Sequence, residues 1–104
     1  MYQYNTQAPA LNQVQNTSGW LLLNFGTDWC GHCQAAQEAV HQWLKEHKIT
    51  HMAVEDGKGR PLGRAFQVKL WPSLILLRDG EEVARVVRPT AAEHLTPLTQ
   101  ALSS

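Results

Sequence analysis

Cys30 and Cys33 are the only cysteines of the chain, and Gly31 and His32 stand between them. An apolar run, Trp20-Leu21-Leu22-Leu23-Asn24-Phe25, precedes the pair and a helix-like pattern follows it. The order strand, Cys-x-x-Cys, helix sets the first cysteine at a helix N-terminus. Unpaired N–H groups and the positive end of the helix dipole meet there and favour a thiolate. A thiolate is the attacking species in disulfide exchange, and a second thiol one turn on can resolve the mixed disulfide. The competing chemistry is metal binding. Zinc needs about two further ligands, whereas His32 lies between the cysteines and His41, His47 and His51 are scattered. No metal is therefore expected.

Positioning such a pair takes a sheet and helices, and the sequence pattern supplies both. Residues 8–16 can form a short first helix with Leu11 and Val14 on one face, and 16–19 is a turn cluster. Residues 20–25 read as a buried strand. Residues 34–48 are the clearest helix, because Ala36, Val40, Trp43, Leu44 and His47 fall on one face. A second strand is expected at 49–54, a loop at 55–59, and a short helix opened by Arg60-Pro61 and running to about residue 66. Residues 73–78 are an apolar strand, Asp79-Gly80 is a hairpin signal, and 82–87 return. Thr90-Ala91-Ala92-Glu93 has the capping-box pattern and starts a last helix, which Pro97 should kink or split. The order (α)βαβαββα implies an α/β fold, a central mixed sheet with helices on both faces, as one domain over 1–104. The cysteine pair then lies at the C-terminal end of a central strand, where open α/β sheets place their sites.

Composition narrows the partners. The chain has 104 residues, 43% hydrophobic and 17% charged, with no formal net charge. That suits one globular core and gives no sign of nucleic-acid or anionic-membrane binding, which recruit excess Lys and Arg. The apolar runs are too short to span a bilayer. The N-terminus has no basic start and no apolar stretch of the secretory kind. A cytoplasmic monomer is the expectation.

Three motifs in order and spacing make the chain resemble the thioredoxin family, from about Trp20 to Leu102. Phe25-Gly26-Thr27-Asp28-Trp29-Cys30-Gly31-His32-Cys33 is similar to the family's aromatic-x-x-x-W-C-x-x-C. Val68-Lys69-Leu70-Trp71-Pro72-Ser73 is similar to its V-x-x-x-P-[ST], and the Asp79-Gly80 hairpin before a final helix is the third. The resemblance implies a thioredoxin fold and a cis Pro72 facing the cysteines. It also implies that the Trp71 backbone pairs with an extended substrate segment, with Trp29 beside it. The Gly31-His32 dipeptide resembles that of protein disulfide isomerase. A histidine beside the Cys30 sulfur can stabilise the thiolate, which makes the disulfide more oxidising.

At three positions the residues differ from the family pattern. Asn24 stands where the resemblance places a buried acid; it cannot accept a proton, so Cys33 must be deprotonated by other means. Slower resolution and weaker pH dependence near neutrality are expected, and Asn24 needs hydrogen-bond partners. Met52 stands at the place of the lysine that often partners that acid. Arg88 takes the place of a glycine near the substrate groove, where a long cation narrows the groove or selects acidic partners. Asp28 reads as solvated, Trp43 as core, and His41, His47, His51 and His94 as surface or partly buried helix residues.

The expected function is thiol–disulfide exchange on protein substrates. Cys30 attacks, Cys33 resolves, and His32 and Gly31 tune. Trp29, Trp71, Pro72 and Arg88 form the substrate rim. The resemblance implies no bound cofactor and a reductase or other dithiol that resets the pair. The alternative is a binding or assembly module that keeps the fold and turns over little.

Overall fold

The computed structural model describes residues 2–104. Its central strand, β1 (Trp20–Gly26), has neighbours on both edges. β2 (Thr50–Glu55) runs parallel to it, and β3 (Ser73–Arg78) antiparallel; β4 (Glu81–Val87) pairs antiparallel with β3, giving the order β2-β1-β3-β4. A strand covered on both faces is apolar along its whole length, which is why 20–25 shows no alternation.

Strand alternation sorts the core into two layers. Leu22, Leu74, Leu76 and Val86 meet Ala36, Val40 and Trp43 of α2 (Gly31–His47), together with Leu95 and Leu98 from the C-terminal end. Leu21, Leu23, Phe25, Val54, Ile75 and Leu77 face the other way. They meet Val14 of α1 (Leu11–Gln15) and Leu62 of α3 (Pro61–Ala65). Helices thus cover both faces, as expected. Trp43 is core, and its indole donates to Thr99 Oγ1 at 2.9 Å.

The ends of several elements differ from the sequence reading, each for a local reason. α2 starts at Gly31, three residues early, because Cys30 itself is the N-cap: its Sγ accepts the Cys33 N–H at 3.4 Å. The helix closes on Lys48 in the left-handed conformation, its N–H returned to Leu44 O. β2 lies one residue later than expected. The capping box at 90–93 does not form. Thr90 N–H is taken by His94 Nδ1 at 3.0 Å, and Ala91 leads into a 3-10 helix, Ala92–Leu95. Pro97 then sits in the first turn of α4 (Thr96–Leu102), so it splits the segment there. At the hairpin, Asp79 and Gly80 have φ of 51° and 83°, the two positive values a tight two-residue turn requires. Among the described residues no helix is long and apolar enough to cross a membrane.

One element has no counterpart in the sequence reading. The segment before α1 pairs with the free edge of β2: Asn5 N–H donates to Ala53 O at 2.8 Å, and Glu55 N–H donates to Asn5 O at 2.9 Å. This pairing carries Tyr2 and Tyr4 to the end of the sheet where the cysteines lie.

Candidate active site

The two thiols occupy different environments although they are one helical turn apart. Cys30 is partly exposed at the N-cap of α2, while Cys33 is buried and faces the sheet; neither is in a disulfide. Burial of Cys30 works against its ionisation. The Cys33 thiol, the backbone N–H groups of Cys33 and His32, and the Arg88 charge more than offset that, so its pKa lies below the usual thiol value. Burial pushes Cys33 up to about 11, against the Thr27 N–H and the Tyr4 hydroxyl, which favour its thiolate. One sulfur is made nucleophilic and the other is held back as a thiol.

Gly31 and His32 open α2 and are both exposed. Residue 32 acts on Cys30 through its backbone N–H. A Cβ on Gly31 would meet nothing within 4 Å, so packing does not require glycine there.

The rim lies on the loop before β3 and the residue after β4. The Trp71–Pro72 peptide is cis. Trp29 is 72% exposed and stands edge-on to Trp71, ring centroids 5.8 Å apart. The Trp71 indole N–H is tied to Asp56 Oδ2 at 2.8 Å. Arg88, with φ of 55°, returns its own N–H to Pro72 O at 2.9 Å and lays its Nε on Trp71 O at 2.8 Å. The Trp71 carbonyl, which the resemblance leaves for an extended substrate, is therefore covered by the Arg88 guanidinium.

Beneath the cysteines, Asn24 is fully buried and its amide is paired at both ends. The Tyr4 hydroxyl donates to Asn24 Oδ1 at 2.8 Å, and Asn24 Nδ2 lies 3.3 Å from His51 Nε2. This corrects the expectation for Met52. In the parallel register Met52 lies opposite Leu23, on the face that packs towards α1 and α3. His51 lies opposite Leu22, on the face that Asn24 shares. His51 is neither a helix residue nor a surface one. It sits on β2 under the Tyr2 ring, and burial pushes its pKa down to about 4. A neutral imidazole accepts at Nε2 as the Nδ1–H tautomer, so Asn24 donates there and turns its oxygen to Tyr4. Asp28 is exposed as read, yet its Oδ1 accepts the Tyr4 N–H at 2.8 Å.

Tyr4 and His51 are the site residues that the sequence reading missed. A signal was available for both. Tyr2 and Tyr4 alternate in a polar run, the period of a strand. His51 alternates with Ala53 along β2 on the face Asn24 uses. Among the described residues, no three His, Cys, Asp or Glu side chains are grouped to hold a metal ion.

Comparison with known proteins decides the family. The thioredoxin family model matches residues 3–101. This chain belongs to the thioredoxin family. It is 34% identical over 85 residues to a thioredoxin of Chlamydia pneumoniae, covering 78% of the chain and 80% of that protein. It is 22% identical over 77 residues to thioredoxin H2 of Arabidopsis thaliana, covering 73% of the chain and 58% of that protein. The structure of thioredoxin 2 from Pseudomonas aeruginosa PAO1 in its reduced form superposes with a TM-score of 0.86 at 50% identity. That match covers 97% of this chain and 94% of the other. The fold is a thioredoxin fold, and thioredoxins are disulfide oxidoreductases that act on protein disulfides and are reduced by a reductase. Cys30 and Cys33 hold the spacing of that redox pair.

Proposed function

We propose that this chain exchanges disulfides in protein substrates by a two-thiol mechanism led by Cys30. The observation that carries the reading is the opposed tuning of two adjacent sulfurs, Cys30 pulled down and Cys33 pushed up. The Cys30 thiolate attacks one sulfur of a substrate disulfide, and the other substrate sulfur leaves as a thiolate. Cys33 then gives up its proton and attacks Cys30 Sγ. The substrate departs reduced by two electrons, and Cys30 and Cys33 are left as a disulfide. Run backwards, the same steps oxidise a dithiol. The electrons stay in the cysteine pair, so no bound cofactor enters the proposal, and a reductase or another dithiol resets it. Trp71, Pro72 and Trp29 receive the substrate chain, with Arg88 at its edge. We assign the Gly31-His32 dipeptide an oxidising bias like that of an isomerase-type pair, exerted by the imidazole once substrate or solvent brings it to the sulfur. A cytoplasmic monomer remains our reading of the cellular form.

The test is the reduction potential of Cys30–Cys33, measured by equilibration against glutathione mixtures, in the wild type and in His32→Ala, which removes the imidazole and keeps the backbone N–H that Cys30 uses. A shift of about 30 mV or more to more reducing values is expected in His32→Ala, which corresponds to about 1.4 kcal/mol for a two-electron couple. Equal potentials would remove His32 from the account. A wild type that forms no reversible disulfide would sink the catalytic reading. The binding-module reading draws on the Arg88 guanidinium lying over Trp71 O. It predicts that Cys30→Ser with Cys33→Ser still performs the biological task.

A further inference from the structure

Cys33 poses a problem for its own mechanism. At about 11 its thiol leaves about one molecule in ten thousand ionised at pH 7. Asn24, directly beneath, cannot take up its proton. Yet Cys33 must become a nucleophile for the mixed disulfide to resolve.

The N-terminal segment brings a donor to that sulfur. Tyr4 is 4% exposed. Its backbone is fixed by its N–H on Asp28, and the next residue is laddered onto β2. Its hydroxyl points between Asn24 and the cysteine. Gly26, at the end of β1, makes the room: a Cβ there would lie 2.6 Å from Cys33 Sγ and 2.8 Å from the Tyr4 hydroxyl oxygen. The sulfur and the hydroxyl therefore border the same small space, one that only a residue without a side chain leaves open.

We propose that Tyr4 acts directly on the resolving thiol: its hydroxyl, oriented by Asn24, gives the Cys33 sulfur the hydrogen bond it needs as it becomes a thiolate. While Cys33 is a thiol the hydroxyl hydrogen rests on Asn24 Oδ1. Rotation about the Cζ–O bond turns it to the sulfur when the proton has gone. Burial, with Tyr2 and Cys33 beside it, pushes the Tyr4 phenol up, so Tyr4 stays neutral and acts as a donor and not as the base. The Cys33 proton passes to water, and the departing substrate thiolate takes one up. One S–S bond forms between Cys33 and Cys30 as the bond from Cys30 to substrate breaks. The titratable groups around this sulfur are Cys30 from the N-cap and Tyr4 and Tyr2 from the N-terminal segment, with His51 behind Asn24. Asp28 holds the Tyr4 N–H, and Arg88 acts on Cys30. His51 enters by keeping the Asn24 amide turned.

The proposal rests on the oxidoreductase reading, and its test separates the two. In full-length chains carrying Cys30→Ala, Cys33 is titrated by the pH dependence of its alkylation rate, with Tyr4 present, as Tyr4→Phe, and as Tyr2→Phe. Among the described residues the Tyr2 hydroxyl is buried with no hydrogen-bond partner, so Tyr2→Phe makes the same chemical change beside the site. Tyr4→Phe should raise the Cys33 pKa by about one, the loss of one hydrogen bond to a charged group; in chains that keep Cys30 it should slow release of a chromogenic thiol from its mixed disulfide with Cys30 about threefold, because the thiolate fraction falls about tenfold while the more basic thiolate attacks faster. Tyr2→Phe should move neither. An unshifted Cys33 in Tyr4→Phe overturns the proposal, and so does an equal shift in Tyr2→Phe. Should Tyr4→Phe fail to fold, the chain has two tyrosines, and fluorotyrosine incorporated into Tyr2→Phe labels Tyr4 alone. Its stronger donor should lower the Cys33 pKa, and no change counts against the proposal. Titration reads Tyr4 whether or not the chain turns over a protein disulfide, so failure of the oxidoreductase reading would appear in the turnover assay alone.

Discussion

His51 Nε2 lies 3.3 Å from Asn24 Nδ2, and that contact requires an uncharged imidazole. Burial holds the His51 pKa at about 4 in the folded chain, below the ordinary value of 6.5. Unfolded chains bind the proton first, so stability rises with pH where the two states differ. The contribution is complete above about pH 6.5 and is lost as pH falls through about 4, on the order of 3 kcal/mol in all. Urea unfolding of wild type and His51→Gln between pH 7 and pH 4 checks this. The wild type should lose stability more steeply, and parallel curves would show that folding leaves the His51 pKa at its ordinary value.

Arg88 spans the rim and the nucleophile. Its Nε holds Trp71 O at 2.8 Å, and its charge favours the Cys30 thiolate. Arg88→Gln should therefore do two separable things. Alkylation of Cys30 at pH 6 should slow about threefold as its thiol titrates higher. The preference for peptide disulfides with acidic over basic flanks should fall several-fold, because a rim charge selects partners more than it binds them. Unchanged selectivity with slowed alkylation would confine Arg88 to the thiolate.

The fold was legible because the features that make it are local. The apolar run at 20–25, the one-faced pattern of Ala36, Val40 and Trp43, and Asp79-Gly80 each state their element within a few residues. Cys30 and Cys33 were legible for the same reason. What could not be read is side-chain direction across the sheet. Met52 and His51 are neighbours in sequence, and a one-residue step along β2 moves a side chain to the other face. Tyr4 was hidden because its role depends on an edge pairing made with residues about fifty positions away. The capping box at 90–93 failed because the His94 side chain offered the Thr90 N–H a competing acceptor.

Trp71 is steered from beneath. Its indole N–H is held by Asp56, and a Cβ on Gly63 would overlap the Asp56 carboxylate. Gly63→Ala must therefore push the carboxylate aside and free the indole. In the wild type this should cost about 1–2 kcal/mol and change tryptophan fluorescence. With Asp56→Ala already present the obstacle is gone, and alanine in α3 should instead stabilise by up to about 1 kcal/mol through helix propensity. A double-mutant cycle reads the change of sign. If Gly63→Ala costs the same in both backgrounds, Asp56 is not the obstacle.

Gly26 tests whether Tyr4 and Cys33 share one space. A Cβ there meets Cys33 Sγ at 2.6 Å and the Tyr4 ring carbon Cζ at 2.7 Å, and both partners are buried. Gly26→Ala should destabilise by about 1–3 kcal/mol, the cost of overpacking a closed site. Tyr4→Phe should not relieve it, because Cζ remains. Tyr4→Ala should relieve part of it, so that the double variant loses less than the two single losses added together. The same double variant should leave Cys33 with a raised pKa, because space is restored without the hydroxyl. Strict additivity in chemical unfolding would mean that Tyr4 lies outside the space above Gly26, and the hydrogen bond to the resolving sulfur would lose its geometric basis.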